Sequence, residues 1–152
     1  MLVLIAFSSL ASLEARAEAV CVVKPNVSLR KEPKPKAAVS WAVPRFMPLM
    51  IVGQQGKWAK VQDLEGETHW VLRSNLSSRT SCAVVRTKTA KLRKGPGHDQ
   101  PPADLARVDK YTPFKKVDRD GEWVKVQDDF NVSYWVHETN IWIPMNRTSV
   151  TF

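Results

Sequence analysis

Few side chains of this sequence could serve as nucleophiles, acid–base groups or metal ligands. The chain has two cysteines, Cys21 and Cys82, and three histidines, His69, His98 and His137. These positions do not have the spacing of a metal-ligand set, so we predict no metal site and no cofactor. A catalytic cysteine would need a base that the fold places beside it. We therefore expect no catalytic residues.

A pair of carboxylates, Asp118 and Asp120, directly precedes Gly121. Such a pair could act in acid–base catalysis or form part of a calcium loop. The pattern Asp-x-Asp-Gly is more typical of a hairpin turn, and the other ligands of a calcium loop are missing from the sequence around it. We predict a turn here.

Basic and aromatic residues indicate binding chemistry instead. The chain of 152 residues has a net charge of +8 and six tryptophans, which favours an anionic partner. Aromatic rings stack on the apolar faces of sugars, and Lys and Arg pair with carboxylates or phosphates. Two alternatives stay open, since charge runs often form only a solvated face and strand tryptophans can belong to the core. The predicted ligand-binding residues are Trp58, Trp123, Tyr111, Trp41, Arg30, Lys31, Arg93 and Lys94.

An internal repeat organises the chain. Residues 46–76 align without a gap onto residues 111–141, at a constant shift of 65 and with 11 identities in 31 positions. Repetition at such a period indicates two similar domains in tandem. We place them at residues 18–81 and 82–152.

Each copy is predicted to consist of short strands. In the segment from Trp123 to Gln127, Val124 and Val126 share one face, which we predict to be core. Trp123 then lies on the opposite, wetter face, and Trp58 of the first copy likewise. Hairpin turns are predicted at residues 53–56 and 118–121, where glycine is available. The fold class is therefore all-β.

The N-terminal segment has the pattern of a secretory signal peptide. Residues 2–13 form an apolar stretch, and Ala15-Arg16-Ala17 is typical of a cleavage site, so we predict a signal peptide over residues 1–17. A buried N-terminal helix is the alternative. No apolar run reaches the roughly 18 residues that span a bilayer, so we predict no transmembrane segment.

The motifs resemble those of bacterial SH3-like domains. The resemblance is carried by Leu-Arg-Lys-Gly-Pro-Gly at residues 92–97, by Gly-x-Trp-Val-Lys-Val at 121–126 and by Trp-Val-His at 135–137. It covers both copies and implies two tandem SH3-like small five-stranded barrels. It also implies an exported protein of the bacterial envelope, a class that often binds cell-wall polymer.

The same resemblance implies a disulfide. In an SH3-like barrel the first and last strands are neighbours, which would bring Cys21 and Cys82 together inside the first barrel. The alternative is two free buried thiols.

We thus expect a non-catalytic binding protein in the periplasm or cell envelope, whose ligand is peptidoglycan or another anionic envelope polymer. A periplasmic interaction module for a peptide or partner protein is the alternative. Export argues against nucleic acid as a partner.

Overall fold

The computed structural model describes residues 16–148 of the chain. The regular secondary structure of this part is strand except for two short 3-10 turns at Arg73–Asn75 and Glu138–Asn140. No helix within residues 16–148 is long and apolar enough to cross a membrane. The all-β prediction is confirmed. The predicted signal peptide lies outside the described residues except for Arg16 and Ala17, which begin the first strand.

The first barrel is an antiparallel sheet built from the N-terminal half of the chain. The strands are β1 (Arg16–Val22), β2 (Val27–Arg30), β3 (Val39–Val43), β4 (Pro48–Gln55), β5 (Trp58–Gln62), β6 (Thr68–Leu72) and β7 (Leu76–Ser77). They follow the spatial order β1, β4, β5, β6, β2 and β3, and β7 also pairs with β1. The first and last strands of this barrel, β1 and β7, are therefore neighbours.

The second barrel repeats this arrangement in the order β10, β9, β13, β12, β11, β8 and β14. Each barrel has seven strands of its own, two more than expected, and one of these, β7 or β14, is only two residues long. Tandem small β domains are confirmed, while the exact boundaries at residues 81 and 82 stay a prediction. The strands are β8 (Cys82–Val85), β9 (Thr89–Arg93), β10 (Pro102–Asp109), β11 (Pro113–Asp120), β12 (Trp123–Gln127), β13 (Ser133–His137) and β14 (Ile141–Trp142).

Side chains at alternate positions of the strands fill the two cores, as predicted. In β12, Val124 and Val126 are fully buried in the second core, together with Val136 of β13. The equivalent strand of the first barrel buries Ala59 and Val61 in the first core. Burial of such side chains contributes about 1.5–3 kcal/mol for each Val-sized group.

The two barrels share one strand as a common wall. In β8, Ala83 and Val85 belong to the second core, whereas Val84 is buried in the first core. A last short strand, β15 (Arg147–Thr148), returns to pair with β1 of the first barrel. Because consecutive side chains of a strand point to opposite faces, β8 contributes to both cores at once.

The disulfide joins the barrels instead of closing the first one. The Sγ atoms of Cys21 and Cys82 are bonded, with their Cα atoms 6.1 Å apart. The predicted pairing is confirmed, but its location inside the first barrel was wrong. Cys82 begins β8, which pairs with β11 and β14 of the second barrel. The first strand of one barrel is thus bonded to the first strand of the other.

Both hairpin turns are only two residues long and begin three residues later than predicted. Strand β4 continues through Gln55 and β11 through Asp120, so the turns are at Gly56–Lys57 and Gly121–Glu122. Gly56 and Gly121 have φ angles of 56° and 59°, the left-handed region that two-residue hairpin turns require. Gly53, which was predicted to open the turn, lies instead at a β-bulge in β4.

Candidate functional site

Seven of the eight predicted binding residues line one of three places on the surface. One is a groove on the outer face of the second barrel, another is the equivalent groove of the first barrel, and the third is a cleft between the barrels. Trp123 and Arg93 line the second-barrel groove, Trp58 and Arg30 the first-barrel groove, and Trp41, Tyr111 and Lys31 the inter-barrel cleft.

Three rings form the floor of the second-barrel groove. Trp123 lies directly opposite His137 across the β12–β13 pair, with ring centroids 5.2 Å apart in an edge-to-face arrangement. His98, from the loop after β9, meets Trp123 edge to face at 5.0 Å and stacks on His137 at 5.3 Å. Such aromatic pairs contribute about 0.5–1.5 kcal/mol each. The half-buried indole of Trp123 is therefore held in one orientation.

Cationic side chains surround these rings. Lys91, Arg93 and Arg107 line the second-barrel groove together with the two histidines, and no carboxylate is among the described residues that line it. The groove has a volume of about 400 Å³, which lies in the range of small-ligand sites, about 300–1,000 Å³. The groove is therefore suited to a ligand that has an anionic group next to an apolar surface.

Arg93 has a structural partner as well. Its Nη1 donates a 2.8 Å hydrogen bond to the carbonyl oxygen of Gln100, and Arg30 makes the same bond to Ala37 in the first barrel. Each arginine therefore closes the long loop that follows its strand. Lys94 lies outside the groove lining and pairs with Asp104 at 3.6 Å.

The first-barrel groove is smaller and its tryptophan is covered. Trp58 is only 7% exposed, so the expectation that it lies on a wet face was wrong. It faces Leu72 across the β5–β6 pair, where Trp123 faces His137. Because directly opposed side chains pack closely, the aliphatic partner brings the indole into apolar surroundings. The remaining groove has a volume of about 260 Å³.

The inter-barrel cleft unites two aromatic residues from different barrels. The rings of Trp41 and Tyr111 meet edge to face with centroids 5.5 Å apart. The Tyr111 hydroxyl donates to Glu65 at 3.1 Å, and Lys110 forms an ion pair with the same carboxylate. The hydrogen bond from Lys110 is the main reason that the pKa of Glu65 lies below its ordinary value and that of Lys110 above it.

A chain of hydrogen bonds joins Ser40, His69 and Asp63 at the back of this cleft. Ser40 Oγ lies 2.6 Å from His69 Nδ1, and His69 Nε2 lies 2.8 Å from Asp63 Oδ2. The other oxygen of Asp63 accepts the backbone N–H groups of residues 65 and 67, which fixes the turn. In the second barrel Asp128 accepts the equivalent backbone N–H groups and a hydrogen bond from the Tyr134 hydroxyl, without a serine or histidine. We therefore assign the hydrogen bonds of Ser40, His69 and Asp63 to stabilisation of the turn.

Several groove residues have no counterpart in the sequence-based prediction. His98 comes from the loop after β9 and His137 from β13, while Lys91 and Arg107 are paired on β9 and β10, so contacts between separate segments bring these four residues together. The one available signal was that His137 replaces Leu72 at the repeat-equivalent position. Within residues 16–148, no group of three His, Cys, Asp or Glu side chains is placed to hold a metal ion.

Comparison with known proteins gives one domain match and several distant likenesses. The sequence profile of the bacterial SH3 domain matches residues 23–78. Over 77 residues the chain is 34% identical to the probable cell wall amidase LytH of two Staphylococcus epidermidis strains, which corresponds to 49% of this chain and 26% of each relative. The chain thus spans about a quarter of the length of these relatives.

Two solved structures resemble this chain, with low sequence identity and a low TM-score. NlpC2 from Trichomonas vaginalis is 14% identical with a TM-score of 0.37, and the match covers 83% of this chain and 48% of that one. The endolysin LysPBC5 CBD is also 14% identical, with a TM-score of 0.35, and the match covers 88% of this chain and 98% of that one.

Proposed function

We propose that this chain, which contains a bacterial SH3 domain at residues 23–78 and a second barrel that repeats it, is an extracytoplasmic protein that binds cell-wall polymer. The ligand is peptidoglycan, and the second-barrel groove is its principal contact surface. The chain acts by binding and not by catalysis.

The observation that carries this proposal is the composition of the second-barrel groove. Trp123 offers an apolar ring, while Lys91, Arg93 and Arg107 offer positive charge within the same groove. Peptidoglycan combines sugar rings with peptide carboxylates. An aromatic surface and adjacent cations complement both parts at once.

The similarity to a cell wall amidase supports the same ligand. The relative's name places that protein at the cell wall. Since this chain spans only about a quarter of it, the shared segment supports a common binding partner and not a common reaction. The second barrel adds a further surface, and two sites at a fixed spacing bind a repetitive polymer better than one.

The disulfide supports an oxidising compartment. Bonds such as Cys21–Cys82 persist in secreted and periplasmic proteins and are rare in the cytosol. We propose that the protein lies in the periplasm or at the envelope surface.

Co-sedimentation with purified wall sacculi tests the proposal. Wild-type protein should pellet with sacculi at low salt, and less of it should pellet as ionic strength rises. Trp123→Ala should stay in the supernatant. Phe130→Ala is the matched control, because this aromatic residue is 86% exposed and lines none of the three places. Wild-type protein that stays soluble at low salt would contradict the proposal.

A protein-binding role is the second candidate, favoured by one observation. Strand β10 lies at the edge of the second sheet and exposes Leu105, so a partner strand could extend the sheet there. Binding by such an edge would persist at high salt. A salt-resistant protein partner combined with no binding to sacculi would favour this alternative.

A further inference from the structure

We infer that the inter-barrel cleft binds an uncharged sugar ring of the polymer, whereas the cationic second-barrel groove binds its anionic groups. This inference rests on the proposed function and names the ligand class of a second site. The cleft has a volume of about 510 Å³, which is ample for a small ligand.

The cleft exists only where the two barrels meet. Trp41 comes from the edge strand β3 of the first barrel, and Tyr111 from the segment between β10 and β11 of the second. Tyr111 is 40% exposed, and Lys110 lies over its ring, 5.0 Å from the centroid. An exposed ring beside a second ring is the apolar surface on which the C–H face of a pyranose stacks.

The cleft lacks the excess of positive charge that the second-barrel groove has. Among the described residues that line it are three carboxylates and one lysine, Lys31, and Lys110 lies beside Glu65. Asp63 is hydrogen-bonded to His69 and to two backbone N–H groups, and Glu65 to Lys110 and the Tyr111 hydroxyl. The remaining charged side chains in the lining, Lys31 and Glu67, have opposite signs, so the cleft offers no cluster of cations to an anionic group.

Polar side chains that line the cleft can bond sugar hydroxyls. Thr68, Lys31 and Glu67 line it together with the two rings and offer both donors and acceptors. A ring that carries several hydroxyl or amide groups can satisfy these partners, whereas a purely apolar ligand would leave them unpaired, at a cost in affinity.

The two halves of the cleft are fixed relative to each other. The Cys21–Cys82 disulfide, the ion pair between Lys110 and Glu65 and a 3.3 Å contact between Arg45 and Asp129 all cross the boundary between the barrels. A ligand therefore does not have to order the barrels when it binds, which preserves affinity.

Calorimetric titration with a soluble trimer of N-acetylglucosamine tests this inference. The wild-type protein should bind it, and binding should change little with salt because the trimer is uncharged. The tested variant is Tyr111→Asn. Tyr111 has a φ of 71°, and Asn tolerates this left-handed conformation well, so the variant removes the ring without adding backbone strain. We expect at least tenfold weaker binding, and unchanged binding in the control Phe130→Ala.

Two further arms test the ligand class. A trimer of glucosamine, which is cationic, and a trimer of galacturonate, which is anionic, should each bind more weakly than the neutral trimer. Tighter binding of either charged trimer, or full affinity in both Tyr111→Asn and Trp41→Phe, would overturn the inference. If sacculi retain the wild-type protein but the neutral trimer does not bind, the inference fails while the proposed function stands.

Discussion

The indole of Trp123 and the imidazole of His137 face each other across β12 and β13, with ring centroids 5.2 Å apart. The first barrel has Trp58 and Leu72 at the equivalent positions. The tryptophan opposite the leucine is buried, whereas the tryptophan opposite the histidine is half-buried. The two copies share a fold, and we expect them to differ in binding.

Removal of positive charge from the groove should weaken binding to sacculi. In the variant Lys91→Gln/Arg107→Gln, both exposed cations that line the groove are neutralised. We expect about tenfold weaker binding at low salt, equivalent to about 1.4 kcal/mol, and a shallower dependence on ionic strength. The measurement is the bound fraction in co-sedimentation across a salt series.

The matched control for this prediction removes the same charge elsewhere. Lys34 and Lys36 are exposed in the loop after β2 and line none of the three places. If Lys34→Gln/Lys36→Gln weakens binding as much as the groove variant does, net charge and not the groove determines affinity.

Loss of the disulfide should destabilise the chain and loosen the pair of barrels. The bond closes a segment with a sequence separation of 61 residues, for which loop entropy gives about 4 kcal/mol as an upper value. Cys21→Ser/Cys82→Ser should therefore unfold at a temperature several degrees lower, as measured by circular dichroism. Reductant should lower the transition of the wild type and leave that of the variant unchanged. Equal transitions for wild type and variant would contradict the prediction.

Stability should fall at alkaline pH because of Tyr134. Burial raises the pKa of Tyr134, and its hydrogen bond to Asp128 adds to the effect. The neutral phenol is thus favoured in the folded state, whereas the unfolded chain loses this proton at a lower pH, near 10. As pH rises above that value, the unfolded state binds fewer protons than the folded state, so the free energy of unfolding decreases.

Tyr134→Phe separates this effect from general alkaline unfolding. At neutral pH the variant should lose about 1 kcal/mol, the typical contribution of one hydrogen bond. Above pH 10 its free energy of unfolding should fall less steeply than that of the wild type. Parallel decreases for the two proteins would contradict the assignment to Tyr134.

Much of the fold follows from the sequence because it depends on local pattern. The 65-residue repeat and the alternation around Val124 and Val126 predict two β domains and their core faces. Strand β12 has the predicted bounds, Trp123–Gln127. The turns were misplaced because Gly53 and Gly56 both permit a turn, and only the bulge at Gly53 decides between them.

The binding surfaces were less predictable because they depend on contacts between distant segments. Trp41 and Tyr111 were predicted as binding residues, but nothing in the sequence shows that they meet across two barrels. Likewise, Cys82 was assigned to the end of the first barrel, since the short segment before it gives no sign of where one sheet ends. The shared wall β8 becomes evident only from the strand pairing.

The most direct test of the central claim is nuclear magnetic resonance of the six tryptophan indole N–H groups during titration with soluble peptidoglycan fragments. Each indole reports on its own surroundings, and single Trp→Phe variants assign the signals. We predict that the Trp123 signal shifts in a saturable manner while that of buried Trp58 stays in place. A Trp123 signal that does not move at fragment concentrations that saturate other signals, or the absence of any shift, would contradict the account.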